Sequence, residues 1–303
     1  MEQKPSTEPR AAAHELAALA LGLEAHLRRR RAWGLRRVAQ GPPHGPQQDA
    51  APVGPPPSTL ADRGPASREW IQPQPPPERA KTAAPTRAES FPRSAARLAA
   101  EAEARSVRER ALQSSSLIEL QSAVAGCTAC GLCSTRTQTV FADGDGSSGV
   151  MFVGEAPGAD EDARGVPFVG RAGALLTDII TKGMGLRREQ VYIANVLKCR
   201  PPANRDPSDT EKLTCTPWLD RQVELVAPRV IIPLGRHAAN HVLGTELPMG
   251  RLRGQVFASN GRHVVPTFHP AYLLRSPGMK KECWKDIQLA MGLLGLTPPG
   301  GGR

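Results

Sequence analysis

The chain has 303 residues, 40% of them hydrophobic, and a formal net charge of +10, which allows one large domain or two small ones. Its most apolar early stretch, Leu16 to Leu23, lies between Glu15 and Glu24 and falls far short of the ~20 residues a membrane span needs. No small-residue cleavage site precedes Arg28 to Arg31, which argues against a secretory leader, so a cytoplasmic chain without a membrane partner is expected. There its six cysteines are free thiols or metal ligands rather than disulfides.

In chain order, Leu16, Leu19, Leu23 and Leu27 recur at helical spacing and predict an amphipathic, basic helix within residues 1–40. Of the 30 prolines, 14 fall between Pro42 and Pro92, so residues 41–110 are expected to be a disordered linker. The excess charge is +6 over residues 1–110 and +4 over the rest. The second part is therefore only mildly basic, and charge alone does not decide for nucleic acid.

Residues 111–297 read as the folded domain, with 298–303 a tail. Four short apolar runs, Val150 to Val153, Val191 to Ala194, Val230 to Ile232 and His263 to Val265, predict buried strands. Helical patterns at Ala174 to Lys182, Asp209 to Val226, His237 to Leu243 and Lys280 to Leu294 alternate with them. That order predicts an α/β fold with a parallel four-stranded sheet sandwiched by helices. The unusual residues all follow strands: Gly154-Glu155-Ala156-Pro157-Gly158 the first, Asn195 the second, Leu234-Gly235 the third, His269-Pro270 the fourth. In open parallel sheets that edge is where ligands bind.

The chemistry-bearing residues have bland readings too. Cys127 and Cys130 form a CxxC, and Cys199 and Cys215 a wider pair; four such thiolates suit tetrahedral zinc or an iron–sulfur cluster. Cys133 extends the first pair to CxxCxxC, but no fourth cysteine with a following proline comes after it, so it reads as a spare. Cys283 reads as core. The Gly154 to Gly158 turn brings backbone amides close to a ligand or simply reverses the chain. Phe168, within a glycine-bearing loop, serves as core or as a stacking surface. Asn195 needs partners for its amide, and His269 is a titratable ring held by Pro270.

In register, Cys127-Thr-Ala-Cys130, Gly154-Glu-Ala-Pro-Gly158, Glu161-Asp162, Gly165-Val-Pro-Phe-Val-Gly-Arg-Ala-Gly173, Val191-Tyr-Ile-Ala-Asn-Val-Leu-Lys-Cys-Arg-Pro-Pro202 and His269-Pro-Ala-Tyr-Leu-Leu-Arg275 resemble the motifs of family 4 uracil-DNA glycosylases. The likeness spans about Cys127 to Asp286. It implies a monomeric enzyme that flips uracil out of DNA and hydrolyses its N-glycosidic bond. It further implies a [4Fe-4S] cluster on Cys127, Cys130, Cys199 and Cys215. Uracil would be held by Gly154, Glu155, Ala156, Phe168, Asn195 and His269, with His269 stabilising the leaving anion. Glu161 would exclude the thymine methyl, and Leu273 would fill the vacated duplex. Where better-known uracil glycosylases carry an aspartate that orients water, this chain has Ala156, which leaves Glu155 as first candidate. Two other readings compete: a protein that binds or traps uracil-DNA without turnover, and a non-enzymatic metal-cluster module. The first would bring a basic insertion after the second strand and a glutamine in the first turn, which Lys198-Cys199-Arg200 and Ala156 lack; the second has no use for Phe168, Asn195 and His269.

Overall fold

The computed structural model describes residues 36–37 and 94–299. The leucine-spaced segment expected as an amphipathic helix and the densest proline-rich stretch lie outside the described residues. Among the described residues, six strands form one sheet in the order β1-β5-β6-β4-β2-β3: β1 (Arg36–Arg37), β2 (Val150–Gly154), β3 (Tyr192–Asn195), β4 (Val230–Pro233), β5 (Phe257–Ser259) and β6 (Arg262–Val264). The expected four-stranded parallel sheet is its centre, since β3, β2, β4 and β6 pair in parallel. Two antiparallel strands extend it. β5 joins β6 in a hairpin across Asn260 and Gly261, both at positive φ, as a two-residue hairpin turn requires; β1 then pairs with β5.

Period-two alternation divides the apolar residues between two faces. On one, Val150, Phe152, Ile193 and Ile232 pack with Leu176 and Ile180, and with Ile287, Ala290 and Met291. These come from α4 (Arg171–Asp178) with its continuation, and from α9 (Lys280–Leu294). On the other, Met151, Val153, Tyr192, Ala194 and Ile231 meet Leu219, Val223, Ala238 and Val242, carried by α5 (Asp209–Val226) and α6 (Arg236–Leu243). Both faces of β2 are thus covered, so its five residues are all buried. Each large side chain removed from water contributes about 1.5–3 kcal/mol.

One boundary departs from expectation. Residues assigned to the linker up to 110 instead form α1 (Ala95–Gln113), capped by Ser94 and packed along α5. Ala100, Val107 and Ala111 are its buried residues, and with α2 (Leu117–Ala125) it closes a third apolar cluster around Trp218, Leu197, Cys199 and Cys215. The alanine- and arginine-rich sequence hides this, because one valine and two alanines make up its narrow buried stripe. The short helices α3 (Ala159–Arg164), α7 (Met249–Leu252) and α8 (Pro270–Arg275) complete the described domain. No helix among the described residues is long and apolar enough to cross a membrane.

Candidate active site

The four strand-end segments converge as expected. After β2 the chain turns through Gly154 to Gly158 into α3, whose Glu161 carboxylate is fully engaged. One oxygen accepts from Gly158 N–H at 3.0 Å, the other from Val169 N–H at 3.0 Å and Gly170 N–H at 3.1 Å. The side chain expected to exclude a methyl group therefore clamps two loops together. Between them Phe168 adopts φ 54°, a conformation costly for a bulky residue. It is retained because Glu161 holds the next two amides and Arg188 donates to Pro167 O at 2.8 Å. Gly173 permits the arrangement, since a β-carbon there would collide with the Phe168 main chain.

Asn195 ends β3, buried, opposite Gly154 of β2. A β-carbon on Gly154 would strike both Asn195 Oδ1 and the edge of the Phe168 ring, so glycine there keeps open the approach to the amide. Asn195 Oδ1 is buried with no hydrogen-bond partner, an arrangement that costs roughly 1–3 kcal/mol unless a ligand supplies the donor.

His269 stands at the N-cap of α8, its Nδ1 accepting from Ala271 N–H at 3.1 Å. That bond places the ring proton on Nε2, making Nε2–H a donor. Burial, with Arg275 adding to it, lowers the ring's pKa from 6.5 to about 4, so the imidazole is neutral at physiological pH. Its centroid lies 5.5 Å from that of Phe168. Two residues earlier, Thr267 Oγ1 donates to Asp286 at 2.8 Å, and Asp286, wholly buried, also accepts from Arg253 and Gly254. This internal ion pair fixes the segment that delivers His269.

Glu155 lies near His237 of α6. Its carboxylate, Asp206 and His237 bring three ligand atoms within 4.8 Å of one another, the one such group among the described residues. Burial raises the pKa of Glu155, and His237 opposes that shift. Ala156 is half-buried against the third apolar cluster. Leu273 is a correction: only 1% exposed, it belongs to the main core, because Pro270 starts α8 so that positions 270 and 273 face inward. Tyr272 and Leu274 are the exposed apolar residues of that helix, each at 36%.

Beside this crevice lies a separate chamber lined by Cys127, Cys130, Cys199 and Cys215, with the supposed spare Cys133 also on its wall. Arg136 bridges it, donating to Cys199 Sγ at 3.2 Å and to Cys127 O at 2.7 Å. The amide of Lys198 donates to Cys215 Sγ at 3.3 Å, and Arg110 approaches Cys127 Sγ at 3.9 Å. Burial pushes the Cys130 thiol up to about 11 and Cys215 to about 12, a setting in which a cation is needed to displace the protons. Four thiols on one wall, met by a guanidinium and a main-chain amide, form a donor set that suits a metal centre.

Three contributors were not foreseen from sequence: Arg136, Lys198 and Asp286. Lys198, inside the quoted Val191 to Pro202 motif, carried the nearest signal, as a lysine interrupting an apolar run.

A family model described as Uracil DNA glycosylase superfamily matches residues 141–288. The chain is 40% identical over 191 residues to the type-4 uracil-DNA glycosylase of Sulfurisphaera tokodaii, covering 60% of this chain and 86% of that protein. It is 43% identical over 172 residues to that of Thermotoga maritima, 55% and 89% of the two chains. With that of Archaeoglobus fulgidus it shares 41% identity over 192 residues, 61% and 96% of each.

Proposed function

Because this chain belongs to the type-4 uracil-DNA glycosylases, and so excises uracil in DNA repair, we propose that the crevice at the sheet's carboxyl edge is where the extruded base is read and released. The observation that carries this reading is the orphaned Asn195 Oδ1, flanked by the Phe168 ring and a neutral His269. Uracil N3–H supplies the missing donor, and the amide nitrogen of Asn195 donates to O4, a pattern that cytosine reverses. Phe168 forms the stacking wall.

In the reaction the C1′–N1 bond breaks with its electron pair leaving on the base, where charge spreads to O2, while the sugar becomes cationic at C1′. His269 Nε2–H donates to the developing anion; a preorganised donor of this kind is worth about 2.7–4 kcal/mol. Water adds its oxygen to C1′ and gives up a proton. Glu155 takes that proton or stabilises the sugar cation by charge, the raised pKa suiting the former role. Glu161 acts by holding the Phe168 loop against the turn, and this loop in turn limits the room beside the base. Duplex filling falls to the exposed Tyr272 and Leu274 rather than to Leu273.

Cys127, Cys130, Cys199 and Cys215 would hold a four-iron four-sulfur cluster, whose contribution is to cross-tie the segment before β2 to the loop after β3. Purified full-length protein offered uracil-, cytosine- and thymine-containing oligonucleotides tests the reading: release of uracil alone is expected, and equal release of cytosine would sink it. Brown protein containing iron supports the cluster, while a colourless, fully active protein with one zinc refutes it.

A further inference from the structure

A lysine buried to 1% exposure is expensive unless its amino group serves a purpose, and the reaction as derived gives Lys198 none. Its Nζ donates to the main-chain carbonyl of Asn195 at 2.7 Å and to Gln222 Oε1 at 2.5 Å. The Gln222 amide then donates to Tyr192 OH at 2.9 Å and Phe141 O at 3.1 Å. The main chain of Lys198 is committed elsewhere: its N–H donates to Cys215 Sγ at 3.3 Å, and its carbonyl accepts from Val140 N–H at 2.8 Å. Lys198 thus belongs at once to the chamber wall and to the peptide that aims the Asn195 amide.

Two neighbouring contacts make this the connection through which the regions meet. Val196 and Leu197 N–H groups bond Gly154 O and Glu155 O, each at 3.0 Å, so the segment from Asn195 to Lys198 is stitched to the β2 turn on one side and to Cys215 on the other. We propose that Lys198 is a positioning residue that couples the cysteine chamber to base reading: it sets the direction of the Asn195 amide from the chamber wall, so that occupancy of the crevice and the geometry of the chamber respond to one another. The proposal rests on the uracil reading given above. Reciprocity follows from linkage, since a group that transmits from chamber to crevice must transmit back.

The test uses full-length, metal-loaded protein and free uracil as the probe. In the wild type, uracil binding should perturb the visible circular dichroism of the chamber's chromophore. Lys198→Met should keep its metal, bind uracil about tenfold more weakly and lose that spectral response. Gln222→Leu, which leaves the bond from Lys198 to Asn195 in place, should lower the melting temperature while keeping uracil affinity and the response. An unchanged affinity and response in Lys198→Met overturns the proposal, as does an equal loss in Gln222→Leu, which would mark the whole network as merely structural. If Lys198→Met does not fold, wild-type protein carrying ¹⁵N-lysine decides: a protected Nζ resonance that moves on adding uracil supports the coupling, and one that stays still refutes it. Wild-type protein that neither binds nor excises uracil would instead sink the glycosylase reading, and this proposal with it.

Discussion

The crevice and the chamber are neighbours built on opposite terms. In the crevice a polar atom is left without a partner: Asn195 Oδ1 is buried and unbonded, and His269 keeps a free Nε2–H because Nδ1 is already used. In the chamber the sulfurs are met by Arg136, Arg110 and the Lys198 amide, and the wall is held by α1, α2 and α5 together. A place that must exchange its occupant keeps unsatisfied groups facing it, whereas one that holds its occupant permanently surrounds it with protein donors. The contrast implies that damage to the first should cost chemistry, and damage to the second should cost the fold.

The largest effect that could break the contrast is at Asn195. Asn195→Asp removes the donor to O4 and should cut single-turnover excision by on the order of 10⁴-fold, with metal content and melting temperature nearly unchanged. A rate near wild type would end the assignment of the crevice. Next, His269→Gln should lower the chemical step by about 10²–10³-fold without altering uracil affinity comparably, as rapid-quench measurements would show.

Cys215→Ser should act in the reverse order, releasing the metal and lowering the melting temperature before any rate on surviving protein is compared. An iron-free, stable and active Cys215→Ser protein would mean the chamber is not structural. A chain beginning at Arg110 loses the burial of Ala100 and Val107 and should melt several degrees lower than one beginning at Ser94, given about 2–4 °C per kcal/mol at this size; equal melting would return α1 to the linker.

The smallest effect concerns pH. His269 has its pKa lowered from 6.5 to about 4 by burial, so the unfolded chain binds the extra proton first. Its contribution to stability is present above pH ~6.5 and is lost as pH falls from there toward about 4. Excision should therefore show no inflection near 6.5, and its acid limb should follow Glu155, whose pKa burial raises. A limb that persists in Glu155→Gln would assign it elsewhere.

How much of this was legible depends on the length scale of the signal. The parallel strands were, because apolar runs such as Val150 to Val153 are buried on both faces, and the crevice followed from what stands after each run. The β5–β6 hairpin was missed although Asn260-Gly261 is a turn signal, since its strands are only three residues long. Leu273 was misplaced because helix phase depends on where α8 begins, which Pro270 sets and the motif does not reveal. Arg136 and Asp286 were invisible as partners because each is satisfied by residues distant along the chain, and pairings at that distance leave no local pattern.

The Glu161 clamp has a consequence for how such a site can change through descent. One carboxylate serves three amides from two loops, so neither loop can lengthen, shorten or redirect its backbone without releasing the other. Across related chains, the spacing from the turn to Glu161 and from Glu161 to Phe168 should therefore be inherited as a single block, and lineages that acquire a different base preference should alter the two loops together or leave both alone.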